Sequence, residues 1–557
     1  MGRRRSTVLG AGVAASLLLA LAAAPATAAP NQGSPAGGGH GSPVRETVVS
    51  SPVVAGGYPG AKPAPGACEA GPYDANFSES ALALRPGFEQ LVGGAKAYFE
   101  RWSTYKSQHT VSFALPAHGR PSTHIVNGFD CVTGGTQAMP PSWTNVTDPN
   151  LVWDTRGRVH QLVLAYNAYW GSVKGPNGDV YAVSSDDGGR SWHRGNGGAA
   201  VEPGPEFSVD AATYLDKPWI AANQNRHSRW RDHVYGAWVL FTEKGAQIHT
   251  AVSRNRGASW SRPLTVPTPQ ALGPKNPWPM IAVGPDGVVY LSYVSYGATS
   301  ADGKTVPATL WLARSTDDGR TWTGFDKVAD TTAIGDCCVP GTTLHRSIVQ
   351  YLAVSPDRPG HVYVAWNEVR AGQVDVRLAS SRDGGRNWSA PRTVNDDRKG
   401  ANQFSATVGA GPRGAVVVGF YDFRYRCPSD PAILPEHRGK AGVCIGLTLQ
   451  AYRDVHGSLR TTRGNVLASR HPWDPYQPGK QTRGGIAQVA CEDPSATCDD
   501  IFLGDYFSMQ VSASRVSVLS TSTYPPSRVL GDDGTPIHYQ QQVLTTVSRR
   551  ALGLSAR

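Results

Sequence analysis

The chain has 557 residues, 40% of them hydrophobic and 17% charged, with 63 glycines, 42 prolines and a net charge of +10. This balance suits many short strands joined by tight turns and argues against long surface helices. The positive excess is mild for the length and holds no Lys/Arg run beyond Arg3–Arg5, which excludes nucleic acid as the expected partner.

In chain order, Arg3, Arg4 and Arg5 precede an apolar run from Val8 to Ala24, and Ala26-Thr27-Ala28 offers a small-residue cleavage site. Residues 1–28 read as a signal peptide, and the paired arginines also suit twin-arginine export. No later stretch reaches the roughly 18–20 apolar residues of a spanning helix, so a secreted protein with no membrane span is expected. Residues 29–67, rich in Pro, Gly, Ala and Ser, read as a flexible leader. Residues 68–144 form an N-terminal segment. Within it ESALALRPGFEQLVGGAKAYF, from Glu79, opens either a first repeat unit or an amphipathic helix ending near Trp102.

From 145 to 550 the chain repeats itself. The pattern S-x-[DN]-x-G-x-[STN]-W spans Ser185–Trp192, Ser253–Trp260, Ser315–Trp322 and Ser381–Trp388, with first serines 68, 62 and 66 residues apart. A fixed period of this size marks a supersecondary unit that stacks or closes radially. Each copy follows a strand-like run such as DVYAVSS or TLWLARS. The Asp or Asn can accept turn amides, the glycine supplies the turn dihedral, and the Trp is an apolar plug. A second phrase, apolar strand, turn, apolar strand, opens units near Asp148, Asp216, Asn276, Ser347, Asn402 and Gly504. Together these make about four strands per unit, the make-up of a propeller blade. The fold class is therefore all-β, a six- or seven-bladed β-propeller. QQVLTTVS, residues 541–548, is expected to pair with N-terminal chain and shut the ring. Residues 425–500 interrupt the period as a Cys-containing insertion.

The eight cysteines are even in number, which favours disulfides in an exported chain. Short closures pair Cys427 with Cys444 and Cys491 with Cys498, and Cys68–Cys131 ties down the N-terminal segment. Cys337 and Cys338 bond to each other or to separate partners. No Cys-x-x-Cys spacing appears, so neither a metal nor a cofactor is expected.

The repeated phrase resembles the Asp-box, or BNR repeat, of the sialidase superfamily, closely at 185–192, 315–322 and 381–388, and more loosely at 253–260, where Asn255 replaces Asp. The resemblance covers about residues 145–550 and implies the propeller fold. In that family Asp-boxes lie at the blade periphery, away from the active centre. Sialidases are similar in carrying three arginines for the substrate carboxylate, a Tyr nucleophile paired with a Glu, and an Asp acid/base. The family's Phe/Tyr-Arg-Ile-Pro phrase is absent here; ALRPG at Arg85 is the nearest string.

Site candidates come from strand ends at a channel mouth. YDFRYR, residues 421–426, closes the apolar strand GAVVVGF with ionisable groups. Tyr421 is the candidate nucleophile, and Asp422, Glu368 and Asp505 are candidate carboxylates for a glycosidase pair. Arg424, Arg226 and Arg370 are candidate carboxylate-gripping arginines, Asp216 a candidate channel residue and Tyr506 a candidate sugar platform. The expected function is a secreted exo-glycosidase acting on terminal sugars. A non-catalytic glycan-, wall- or protein-binding propeller and an endo-acting polysaccharide hydrolase are the alternatives. The expected partner is a glycan or polysaccharide, and a monomer is expected.

Overall fold

The computed structural model describes residues 43–51, 76–98, 108–126, 145–166, 178–204, 213–335, 337–397, 400–455, 457–477, 501–526, 534–536 and 538–554. They belong to one unit, Pro43–Arg557. The signal-peptide reading of residues 1–28 and the pairings Cys68–Cys131 and Cys491–Cys498 lie outside the described residues.

Seven antiparallel sheets follow one another along the chain, each a meander from an inner to an outer strand. The inner strands of blades 1 to 7 are Asn76–Leu84, Asn145–Trp153, Tyr214–Ala222, Met280–Val283, Gln350–Val354, Gln403–Gly411 and Ser508–Val511. Every opening phrase of the sequence falls at or beside one of them. The molecule is a seven-bladed β-propeller. Residues 76–98 and 108–125 form blade 1 and no helix: Asn76–Leu84 pairs with Leu91–Tyr98, which pairs with Gln108–Leu115. All but the last residue of Asn76–Leu84 are buried. A blade is covered on both faces by its neighbours, so its strands lose the apolar/polar alternation that separates strand from helix in a sequence.

The ring closes as expected. Val44–Val48 is the outer strand of blade 7 and pairs antiparallel with Gln541–Ser548. Part of the segment read as a flexible leader is therefore a strand, because an open ring would leave Gln541–Ser548 as an unpaired edge. In blade 6 the second and third strands, Ala415–Asp422 and Gly446–Val455, are joined by a long segment pinned by the Cys427–Cys444 disulfide. Cys337 and Cys338 bond to each other.

All four Asp-boxes join the third strand of a blade to its fourth. In the first, Asp187 Oδ1 accepts the Arg190 and Ser191 amides, each at 2.9 Å, and Ser185 Oγ accepts the Gly189 amide at 2.9 Å. Asn255 does the same work, with its Oδ1 accepting the Ser259 amide at 2.8 Å and its Nδ2 donating to Ser259 Oγ at 2.8 Å. Gly189 has φ +89°, and a Cβ there would lie 2.9 Å from Val92 of blade 1, so the position needs glycine for both dihedral and space. Trp192 completes the contact by donating its Nε1 to Ser112 Oγ of blade 1 at 2.9 Å.

In a meander, the starts of the inner strands, the second-to-third loops and the links to the next blade share one end of the ring. The first-to-second turns and the Asp-boxes share the other. The repeated motif and the inner-strand starts therefore lie at opposite ends.

Candidate functional site

Four inner strands carry a register shift beside a non-glycine residue with left-handed backbone: Glu79 (φ 55°), Asp148 (φ 54°), Lys217 (φ 51°) and Ser405 (φ 53°). Such a conformation costs on the order of 1–2 kcal/mol for an L-residue and gathers at functional sites. A bulge re-aims the side chain it carries. Here it turns three charged groups of successive blades towards one another.

The Lys217 ammonium donates to Asp148 Oδ1 at 2.8 Å, to Glu79 Oε1 at 3.3 Å and to Asp505 Oδ2. Lys96 Nζ approaches Glu79 Oε1 at 3.3 Å, and Thr147 Oγ1 donates to Glu79 Oε2 at 3.2 Å. Beside them Asp216 accepts the Lys217 amide at 2.9 Å and Asn276 Nδ2 at 2.8 Å. These groups line a cavity of about 600 Å³, walled also by Tyr214, Phe241, Trp278, Tyr296, His345 and Arg346.

The environments split the acids. Burial opposes the Glu79 charge, yet the two ammonium groups outweigh it and hold the carboxyl down at about 2. Burial pushes Asp148 well above the usual carboxylate range, with Glu79 and Asp216 adding like-charge repulsion against the pull of Lys217. Burial, with the charges of Asp505 and Glu79, lifts Asp216 to about 6 against the same lysine. Burial opposes the Lys217 charge, yet the carboxylates of Asp148, Asp505, Glu79 and Asp216 together raise the ammonium well above its ordinary value. The network thus holds one carboxyl low and lifts two others around a single lysine, so acids of unlike proton affinity meet at one place.

Glu79, Asp148 and Asp505 each bring an oxygen within 4.8 Å of the others, spacing that suits a metal ion. Lys217 is the cation bonded to all three, so a divalent ion would compete with it.

Of the residues proposed from sequence, Asp216 and Asp505 line this cavity. Tyr506 lies beneath it, donating its hydroxyl to the Pro149 carbonyl at 3.0 Å and meeting Trp219 edge-on. The others are placed elsewhere. Tyr421 is 2% exposed, packed among Phe404, Phe507 and Trp473, and its phenol is pushed up by burial, so it meets no substrate as a nucleophile. Asp422 is buried against Arg424 Nε at 2.6 Å, and Arg424 also holds Asp396 and Asn465. Glu368 turns towards Arg377 at 3.2 Å and Arg370 at 3.5 Å, while its neighbour Asn367 faces the cavity. Arg226 sits in a turn at the opposite end of the ring, and Arg370 ends the second strand of blade 5 outside the cavity lining. The physical reason is common to most of them. YDFR and WNE belong to second strands, one layer out from the channel, and alternation sends one of each pair of neighbours away from it.

Sequence reasoning missed Glu79, Asp148, Lys217 and Lys96. The available signal was that Asp148 and Lys217 lie 69 residues apart, and Glu79 and Lys217 138 apart, one and two blade periods.

Fold and site define a seven-bladed propeller with a lysine-bridged carboxylate cluster at one channel mouth. No protein-family model matches the chain, and no curated protein does. Solved structures are similar to it. A protein of unknown function from Dyadobacter fermentans is 14% identical over 72% of this chain and 94% of that one, with a TM-score of 0.37. A Penicillium chrysogenum α-L-arabinanase is 12% identical over 62% and 96%, with a TM-score of 0.34. A mutant of the NanB sialidase from Streptococcus pneumoniae is 13% identical over 85% and 68%, with a TM-score of 0.36. These are likenesses in the arrangement of sheets, and no residue role is carried over from them.

Proposed function

We propose that the protein is an exported glycosidase that releases terminal sugars, with Asp216 as proton donor and Asp505 as the partner carboxylate. The observation that carries this reading is the lifted proton affinity of Asp216 in a cavity that Asp505 also lines. Glycoside cleavage needs one carboxyl protonated for the leaving group and another ionised for the sugar carbon or for water. Asp216 and Asp505 are the reachable members. Glu79 and Asp148 have side chains 0% and 2% exposed and act through Lys217. Trp278 and Tyr214, the latter stacked on Phe241 at 4.6 Å, line the cavity as aromatic surfaces suited to sugar rings. Among the described residues lining the cavity Arg346 is the one arginine, and its Nη1 donates to the Gly335 carbonyl at 3.0 Å, which favours neutral sugars over sialosides. Export is supported by residues 1–28, and an exo action by a cavity that accommodates one or two rings.

A panel of aryl glycosides with a sialoside included tests the proposal. Turnover of at least one neutral substrate is expected, falling about 100-fold or more in Asp216→Asn, with single sugars released from an oligosaccharide. Intact substrates throughout, combined with binding on a glycan array, would replace it with the binding-module reading. That reading has its own observation: Lys217 already satisfies three of the four carboxylates.

A further inference from the structure

The end of the ring opposite the cavity has a charge character of its own. It is formed by the first-to-second and third-to-fourth turns of the blades and by the C-terminal stretch 549–554. Those segments contain eighteen arginines, ten carboxylates and no lysine, a net charge of +8. Lysines among the described residues lie elsewhere: Lys217 and Lys275 line the cavity, and Lys244 and Lys304 sit in loops at its end.

The carboxylates of this end are engaged within the protein. Asp187, Asp317 and Asp383 accept turn amides. Asp154 holds Arg256 at 2.6 Å, and Asp318 holds Arg254 at 2.7 Å. What remains is exposed guanidinium. Arg120, Arg226, Arg262, Arg413 and Arg550 are exposed and pair with no carboxylate among the described residues. Three Asp-boxes add a further arginine each, at the same position of the turn. Arg190, Arg320 and Arg386 donate Nη1 to the carbonyl of their own Asp187, Asp317 or Asp383, at 2.7, 3.2 and 2.6 Å. Each of these arginines is exposed, and its guanidinium is tethered to its own turn. Guanidinium matches carboxylate and sulfate in a two-pronged geometry that ammonium lacks.

We propose that this end of the propeller is a docking surface for an anionic polysaccharide carrying carboxylate or sulfate groups. Docking there is separate from the cavity, and it leaves the opposite mouth open to solvent. Nucleic acid is the less suitable polyanion. Among the described residues this end carries no helix beyond the three-residue 3-10 turn Pro412–Gly414, so nothing projects to enter a groove.

Fluorescence anisotropy with labelled heparin, polygalacturonate and a single-stranded thirty-mer of thymidylate tests the proposal on the full protein. At 50 mM NaCl heparin or polygalacturonate is expected to bind, with Kd rising about tenfold or more at 300 mM NaCl. Serine at Arg120, Arg226, Arg262 and Arg413 together is expected to raise Kd at least about fivefold with an unchanged thermal midpoint, since none of the four holds another side chain. Serine at Lys244 and Lys304 is expected to leave binding as it was. The proposal is overturned by absence of polysaccharide binding at 50 mM NaCl, by unchanged affinity in the arginine variant, by an equal loss in the lysine variant, or by tighter binding of the oligonucleotide. None of these readouts depends on glycoside turnover.

Discussion

Asp216 and Glu79 share one lysine and titrate in opposite senses. Asp216, lifted to about 6, takes its proton more readily in the folded protein than in the unfolded chain, where it titrates near 3.8. The stability it contributes is complete below about pH 4, is lost as the pH rises to about 6, and stays lost above. Glu79, held down at about 2 from an ordinary 4.5, contributes stability above that ordinary value, and the contribution is lost as the pH falls towards 2. Asp216→Asn should therefore gain on wild type by on the order of 1–3 kcal/mol between pH 4 and pH 7, the lower figure allowing for partial exposure. Glu79→Gln should instead lose ground on wild type as the pH rises from about 2 to about 4.5, and stay below it above. Urea unfolding at pH 3, 4, 5, 6 and 7 checks both, and parallel profiles for the two variants would refute the assignment of opposite signs. A residue whose removal relieves the fold at neutral pH while abolishing turnover is kept for function.

At the scale of elements, the Asp-box is a device for joining blades. Trp192, 1% exposed, fills the gap to blade 1 and bonds Ser112 across it. Trp192→Ala should cost about 3–5 kcal/mol by opening a cavity between blades. Asp187→Ala should cost about 1–2 kcal/mol by leaving turn amides unsatisfied. Thermal unfolding measures both losses, and the KM of any glycoside substrate should stay unchanged, because the motif lies at the far end of the ring. The motif was legible in the sequence because its residues are contiguous. The joints built without it were not. Asp318, at a variable position within the third Asp-box, makes a joint the motif pattern does not specify, accepting His233 Nδ1 at 2.8 Å and the Tyr235 hydroxyl at 2.7 Å. Blade 6 has no Asp-box, yet Asp454 accepts His361 Nδ1 at 2.6 Å and the Tyr363 hydroxyl at 2.7 Å, the same joint made by residues about 90 apart. The tyrosine and arginine of YDFR misled for a related reason. A cluster of ionisable residues at a strand end looks alike whether it faces a channel or, as with Asp422 and Arg424, closes on itself in an ion pair.

For the whole molecule, stability rests on closure. Removing residues 43–51 deletes Val44–Val48 and exposes the edge of Gln541–Ser548. The truncated protein should self-associate, seen by size-exclusion chromatography, and should melt several degrees lower; a monomer with an unchanged midpoint would show that closure does not depend on this strand. Period, turn chemistry and strand pattern lie within single blades, so the sequence by itself determined the propeller, the positions of the inner strands from Asn145–Trp153 onwards and the structural role of the Asp-boxes. Blade number needed the structure, because two-sided burial hides the strand pattern of Asn76–Leu84. The site needed it most. Glu79, Asp148, Lys217 and Asp505 come from four places on the ring, up to 426 residues apart, and each is ordinary in its own segment. Ring closure sets every inner strand at the same distance from one axis whatever its place in the chain, and local bulges turn Glu79, Asp148 and Lys217 to meet there. That convergence is a property of the closed ring, which only the tertiary structure decided.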